Sequence, residues 1–436
     1  MQTNNIRFCI MNNYHDYPEV ISSDVDIAIG KNTFKQLDIL ISTFAKNETL
    51  TIVQKIWNGF QQCAYILAPR HANVRFRLQL DFITDYGAPG YPLLLRNEEI
   101  LEGRIPFKSF SIPAPEIEAL LLLMKRIVKN DLKLTHIVTL KALISTADSE
   151  IKQMLRKVLG EKLQSITFEI IKSADIMLFT DTLQSYRKSL AEWSQKYTRL
   201  SYRLKYRLST MIRMIHRSRF PVGFSVVFLG PDGSGKSTIA GLVLERVSGS
   251  FHGGRIQYWR PYLFPAMGRL KLWNPSEEPA ENPNPHDHPQ QNVIKSLLRF
   301  FYYFLDYIIG YPFKIYLQKV KKEIIIFDRY YYDYLVDLHR YQFNIPQWLP
   351  EFLLPLIPAP DLTIYLDAEP ETLFERKQEL SLPELTRQIS SFRTLLPRLP
   401  QAYLVNTERP IDEIVRDISS YILEKKAKQT RRIIKN

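Results

Sequence analysis

The run Gly230-Pro231-Asp232-Gly233-Ser234-Gly235-Lys236-Ser237-Thr238 constrains this chain more than any other feature. It follows an apolar strand candidate, Phe224 to Leu229, and precedes a helical pattern from Ile239 to Val247. A glycine-rich turn between a strand and a helix can point its backbone N–H groups inward around phosphate oxygens. A side chain at the glycine positions would collide with such an anion. Lys236 is spaced to reach the β- and γ-phosphates, and the Ser237 hydroxyl is spaced to ligate Mg²⁺. The following helix offers its positive end to the same charges. The bland alternative is a strand–helix turn that binds nothing. The complete motif in its required context argues against it.

The 436 residues suffice for two or three domains. Only Cys9 and Cys63 are present, which excludes a disulfide framework and fits a reducing, cytoplasmic setting. No basic head followed by an apolar run opens the chain, so no signal peptide is expected. The longest apolar-aromatic stretch, Phe300 to Ile309, is interrupted by Asp306 and is too short to span a membrane. The formal charge of +13 is unevenly spread. Lys196 to Arg219 carries eight Lys/Arg and no acid, and Lys425-Lys426-Ala427-Lys428 with Arg431-Arg432 forms a second cluster. Such clusters attract anionic lipid or nucleic acid. A solvated helix face and a frayed tail are the simpler reading, and no nucleic-acid-binding motif accompanies the charge.

Short strand candidates fill residues 1 to about 110, the clearest being Val25–Ile29 and Val74–Ile83. Residues 115–218 read as nearly continuous helix. Ile117, Leu120, Leu121, Met124 and Ile127 have helical spacing. Leu200, Leu204, Leu208, Met211, Ile212 and Ile215 continue such a stripe on the basic helix. A boundary is expected at Phe220-Pro221, where proline ends that helix. Strands and helices then alternate, as in a parallel sheet with helices on both faces. The expected strands are Ser225–Leu229, Ile256–Trp259, Glu323–Phe327, Leu362–Leu366 and Tyr403–Val405. Asn274 to Asn292, rich in Pro and Asn, must be a loop. Its His286-Asp287-His288 lacks a second ligand pair for zinc. The aromatic residues of Phe300–Tyr311 read as helix core by default.

Three further segments carry phosphoryl-transfer chemistry. Ile324-Ile325-Ile326-Phe327-Asp328-Arg329-Tyr330 delivers an Asp-Arg pair to the carboxyl edge of the sheet. Asp328 is a candidate to hold Mg²⁺ through water or to orient an attacking oxygen, and Arg329 a candidate to neutralise the transferring phosphoryl group. In Tyr258-Trp259-Arg260-Pro261, Arg260 ends the second strand, where it would grip an acceptor phosphate. Leu366-Asp367 leads to Glu375-Arg376-Lys377, then to a helical stretch with Arg387 and Arg393. A lid closing over ATP is the functional reading of that stretch. For the last two arginines a solvated face is an equal alternative.

Together these segments resemble the thymidylate kinase family over residues 222–425. The resemblance implies ATP and Mg²⁺ at Lys236, Ser237 and Thr238, with Gly230, Gly233, Ser234 and Gly235 shaping the loop. It implies that Asp232 approaches the acceptor and that Arg376 lies near the adenine and phosphates. Two departures stand out. Arg260-Pro261-Tyr262-Leu263 replaces the family's Arg-Glu-Pro-Gly-Gly, and Leu305-Asp306-Tyr307 replaces its Ala-Asp-Arg. The resemblance therefore implies a poor response to dTMP. The Trp-Arg-Pro and Asp-Arg-Tyr-Tyr-Tyr-Asp segments are similar to kinases associated with bacterial surface-polysaccharide synthesis.

In the N-terminal part, Ser23-Asp24-Val25-Asp26-Ile27 puts two carboxylates on one face of a strand. Arg75-Phe76-Arg77-Leu78-Gln79-Leu80-Asp81 alternates and ends in a third. Asp24, Asp26 and Asp81 on neighbouring strands have the chemistry to hold Mg²⁺ against a nucleoside triphosphate. The alternative is solvent-facing carboxylates on an edge strand. This part resembles the nucleotidyltransferase superfamily over residues 6–145, although Asn12-Asn13 stands where that superfamily has Gly-Ser.

The expected fold class is α/β. Residues 1–145 form an α+β nucleotidyltransferase-like domain with a helical appendage. Residues 146–220 form a helical connector with the basic amphipathic helix. Residues 221–436 form a doubly wound parallel-sheet P-loop kinase domain. The expected activity is transfer of the ATP γ-phosphate to a small phosphorylated acceptor, a nucleoside monophosphate or a sugar phosphate. The alternatives are a kinase that is also a nucleotidyltransferase, and an ATP-switched scaffold with little turnover at the inner face of an anionic membrane.

Overall fold

The computed structural model describes residues 6–21, 24–69, 77–265 and 292–435. The expected loop from Asn274 up to Asn292, with His286 and His288, and the start of the expected Val74–Ile83 strand lie outside them. The chain divides into two compact units. One contains the segment up to Glu48, Lys55–Ile66 and Leu78–Ile215. The other contains Thr49–Gln54, the segment from Leu67 to Arg77, and His216 onward.

In the N-terminal part, β1 (Phe8–Ile10), β2 (Val25–Ile29), β3 (Leu50–Trp57), β4 (Gln62–Pro69) and β5 (Leu78–Ile83) form one sheet in the order β1-β2-β5-β4-β3. Strand β2 pairs antiparallel with β1 and parallel with β5, so Asp26 lies beside Asp81. Helices α1 (Lys31–Lys35) and α2 (Leu37–Asn47) follow β2. Two short hairpins, β6 (Tyr86–Ala88) with β7 (Tyr91–Leu95) and β8 (Ile105–Phe107) with β9 (Phe110–Ile112), flank α3 (Asn97–Glu102).

Five helices then succeed one another: α4 (Pro115–Lys129), α5 (Leu134–Leu159), α6 (Glu161–Ser173), α7 (Ile176–Tyr197) and α8 (Leu200–Arg219). Pro115 sits in the first turn of α4, where its missing N–H costs nothing, and left-handed Asn130 ends the helix. Ile117, Leu120, Leu121, Met124 and Ile127 are all buried in the core, as their spacing predicts. Helix α8 departs from this pattern. Its leucines are exposed and almost none of its residues is buried, so its stripe is not core.

The second unit holds an all-parallel sheet of β10 (Phe224–Leu229), β11 (Gly254–Tyr258), β12 (Ile324–Asp328), β13 (Leu362–Asp367) and β14 (Ala402–Asn406). Its order is β11-β12-β10-β13-β14. Residues of β10, β12 and β13 are buried on both faces, as in a sheet covered by helices. Period-two geometry divides them. Phe224, Val226, Phe228, Ile324 and Ile326 pack with α9 (Lys236–Val247) and α15 (Ile411–Lys435). Val227, Leu229, Ile325 and Phe327 pack with α10 (Val293–Gly310) and α14 (Leu382–Leu395). Short helices α11 (Leu317–Val320), α12 (Trp348–Leu353) and α13 (Pro370–Arg376) complete the unit. This is the doubly wound α/β fold expected of residues 221–436.

On α10, Phe300, Tyr303 and Tyr307 are fully buried, which bears out the helix-core reading. The C-terminal basic cluster is not a frayed tail. It lies within α15, where Lys426 and Ala427 are both buried. Among the described residues, no helix is long and apolar enough to cross a membrane. Cys9 and Cys63 are free thiols, and both are buried.

Candidate active site

The chain leaves β10 with neighbours on both sides: β11 and β12 lie to one side, β13 and β14 to the other. The carboxyl end of such a central strand is where an open parallel sheet forms its crevice. The glycine-rich loop occupies this point. Gly230, Gly233 and Gly235 have φ of 151°, 84° and 80°. A Cβ on Gly230 would lie 2.8 Å from the Leu366 carbonyl oxygen, so a side chain is excluded there. The loop leads directly into α9, whose first residue is Lys236.

Lys236 is buried, and its Nζ donates to the Gly230 and Pro231 carbonyls at 2.8 Å each. Burial, reinforced by the nearby Arg329, pulls this ammonium down to about 8, against Asp232, Asp328 and Asp333. The Ser237 hydroxyl donates to Asp328 Oδ2 at 2.5 Å. Asp328 Oδ1 is buried and has no hydrogen-bond partner among the described residues. A serine hydroxyl beside a carboxylate with a spare oxygen is a fitting set of hard ligands for Mg²⁺ shared with nucleotide phosphates.

Asp328 and Arg329 leave β12 as consecutive residues. Arg329 has φ of 76°, a left-handed turn that aims its side chain into the same cleft. Its guanidinium pairs with Asp232 in the phosphate loop and, at 3.4 Å, with Asp333. Arg340 reaches the other oxygen of Asp232. Burial alone would raise the Asp232 carboxyl, but Arg329, Lys236 and Arg340 hold it well below the ordinary carboxylate range. Asp333, deeper in the protein, is pushed up by burial despite the same cations. The cleft is about 360 Å³ and is lined by Lys236, Ser237, Asp328, Arg329, Arg340 and Arg376, among others. That volume suits a small ligand.

The structure brings Gly233, Gly235, Lys236, Ser237, Thr238, Asp232, Asp328, Arg329 and Arg376 to one cleft. The Arg376 head donates to the Thr407 carbonyl at 3.0 Å. Arg387 lies elsewhere on α14, bonded to Glu384 and to the Val336 carbonyl. Arg393 binds Asp367 and Glu369.

Arg260 corrects the sequence expectation. It is 0 % exposed, donating to Asp306 at 2.8 Å and to the Phe264 carbonyl at 3.0 Å. Its guanidinium also stacks 4.1 Å over the Tyr262 ring. Asp306 further accepts from the backbone N–H groups of Tyr262, Leu263 and Phe264 at 2.8–2.9 Å. The pair thus fastens the loop after β11 to α10, and its arginine is spent on that task. Arg340 is the cation that sequence reading missed. Its signal was His339-Arg340-Tyr341, in the tyrosine-rich stretch that follows the Asp-Arg pair.

In the first unit, the expected carboxylates do come together, with other partners. Gln79 Nε2 donates to Asp24 at 2.8 Å and to Asp81 at 3.0 Å. Asp26 Oδ2 accepts from Asn12 at 2.7 Å and from the Lys125 ammonium at 3.1 Å. Lys125, Asn12, Asp26 and Asp81 line a cavity of about 140 Å³. A lysine and two amides already serve these oxygens. Among the described residues, no group of three or more His, Cys, Asp or Glu has a metal-holding arrangement. The set does not fit the divalent-metal centre expected at Asp24, Asp26 and Asp81.

No known family model matches the sequence, and no curated protein matches it. Solved structures do. The chain is similar to thymidylate kinase from Candida albicans, with 20% identity over 47% of this chain and 93% of that one, at a TM-score of 0.35. It is also similar to thymidylate kinase from Ehrlichia chaffeensis, with 18% identity over 45% of this chain and 96% of that one, at a TM-score of 0.31.

Proposed function

We propose that the second unit moves the γ-phosphoryl group of ATP to a small phosphorylated acceptor. The observation that carries this reading is the convergence of three elements at the carboxyl edge of β10: the phosphate loop, the Ser237–Asp328 contact and the Arg329–Asp232–Arg340 group. In this reading the N–H groups at the start of α9 and the Lys236 ammonium hold the donor phosphates. Ser237 and Asp328 hold Mg²⁺, which supplies charge neutralisation of the nucleotide phosphates when bound. An oxygen of the acceptor phosphate attacks the γ-phosphorus, the bond to the bridging oxygen breaks, and ADP leaves with that electron pair. Arg329 and Arg340 stabilise the negative charge spread over the transferring oxygens and the acceptor phosphate. Asp232, held ionised, keeps the two guanidiniums side by side. Arg376 and Lys377 line the same cleft, and in this reading they attend the donor nucleotide.

The test is ATP turnover against a panel of nucleoside monophosphates and sugar phosphates, with Lys236→Met as control. At least one acceptor should stimulate ADP release, and the variant should lose about a thousandfold in rate. Near-normal turnover by Lys236→Met would sink the kinase reading. ATP binding without stimulation by any acceptor would favour an ATP-switched binding protein instead.

A further inference from the structure

Helix α8 turns the usual arrangement of an amphipathic helix inside out. Its protein-facing side is polar: the Tyr202 hydroxyl donates to Asp85 at 2.8 Å, and the Tyr206 hydroxyl to the Ala88 carbonyl at 3.2 Å. Buried Ser209 accepts from the Phe60 backbone N–H at 3.2 Å, and Arg213 donates to the Asn58 carbonyl at 3.1 Å. The opposite side is apolar and faces water. Leu200, Leu204, Leu208, Met211 and Ile215 are 57–65 % exposed, and Ile212 is 46 % exposed. At about 3.6 residues per turn, these six positions share roughly one third of the circumference. They therefore form one continuous stripe, not scattered surface leucines. The hydrogen bonds above fix which side faces outward, so the stripe cannot roll inward without breaking them.

Charge decides what covers this stripe. Exposed Arg207 borders it on one side and exposed Lys205 on the other, with exposed Lys196 and Arg199 just ahead of the helix. No acidic residue occurs from Lys196 to Arg219. A second copy meeting this face would set cations against cations. The geometry points to an anionic lipid bilayer as the occupant, with the leucines entering the headgroup–acyl boundary and the flanking cations meeting lipid phosphates. The proposal is independent of the phosphoryl-transfer reading, since none of these residues lies in the catalytic cleft.

The experiment is flotation of the full chain with phosphatidylcholine vesicles, with and without phosphatidylglycerol. The wild type should float with the anionic vesicles and progressively less as salt rises. The triple variant Leu204→Gln, Leu208→Gln, Met211→Gln alters only exposed positions and should keep a normal melting profile and ATP turnover. It should lose at least ~10-fold in vesicle partitioning. The pair Lys205→Gln and Arg207→Gln should remove the preference for anionic over neutral vesicles. No flotation at low salt, or equal flotation by the triple variant, would overturn the proposal. So would a dimer, detected by light scattering, that the triple variant abolishes.

Discussion

Lys426 offers the sharpest quantitative test, because its burial is nearly complete. It sits on α15 at 1 % exposure, with Nζ 2.7 Å from Gln429 Oε1 and 5.9 Å from the Phe224 ring centroid. The carboxylate that acts on it, Asp361, is already paired with Lys319 at 2.7 Å and accepts from the Ser225 N–H and hydroxyl. Burial pushes the Lys426 ammonium down to about 7, with Asp361 opposing and Lys319 assisting. Against the ordinary 10.5 this gap is worth about 5 kcal/mol at most, at about 1.36 kcal/mol per decade of proton affinity. The sign follows from proton counting. Below the folded value of about 7, both states hold the proton and the folded state bears the whole cost of a buried charge. Between about 7 and 10.5 the unfolded chain holds a proton that the folded one lacks, so stability climbs with pH. Lys426→Met keeps most of the stem volume and removes the charge. It should stabilise the second unit by several kcal/mol at about pH 6, with the gain shrinking towards about pH 10. Urea unfolding read by pulse proteolysis of wild type and variant, side by side, measures the difference. A gain equal at both ends of the range would refute the argument, as would no gain at about pH 6. Either result would mean that Asp361 and Gln429 compensate the charge fully.

Two further substitutions separate holding the loop from holding the substrate. Asp306→Ala strands the buried Arg260 cation and three backbone N–H groups, and should cost about 3–5 kcal/mol in unfolding free energy. A melting temperature unchanged from wild type would contradict this. Arg340→Ala removes one of the two guanidiniums on Asp232, and should raise the acceptor KM by about 10-fold or more while ATP affinity changes little. An ATP defect as large as the acceptor defect would place Arg340 on the donor side.

What could be read in the sequence was local. The phosphate loop, its strand and its helix are contiguous, so their spacing alone set Lys236 and Ser237 in place. The parallel strands were visible because burial on both faces makes them short apolar runs. Contacts across long stretches of chain were not visible. Arg340 meets Asp232 across 108 positions, and Asp306 claims Arg260 across 46. A strand-end arginine looks the same in sequence whether a substrate or a distant carboxylate will hold it. Periodicity also has a blind spot: it shows that Leu204, Leu208 and Met211 share a face of α8, and cannot say whether that face turns inward. Clustered charge misled in the same way at Lys426, where one of several adjacent lysines points into the core.

Trp259 gives the cleft a native optical reporter. Its indole is fully buried and stacks on Tyr341 at 5.1 Å between ring centroids. Tyr341 directly follows Arg340 in the chain, and the Tyr341 hydroxyl donates to Asp333, the residue that also meets Arg329. A ligand that draws Arg340 away from Asp232 acts beside the ring against which the tryptophan rests. Emission from Trp259 should therefore register occupancy of the phosphate cleft without a label, with a Trp259→Phe control giving the signal of the other four tryptophans to be subtracted.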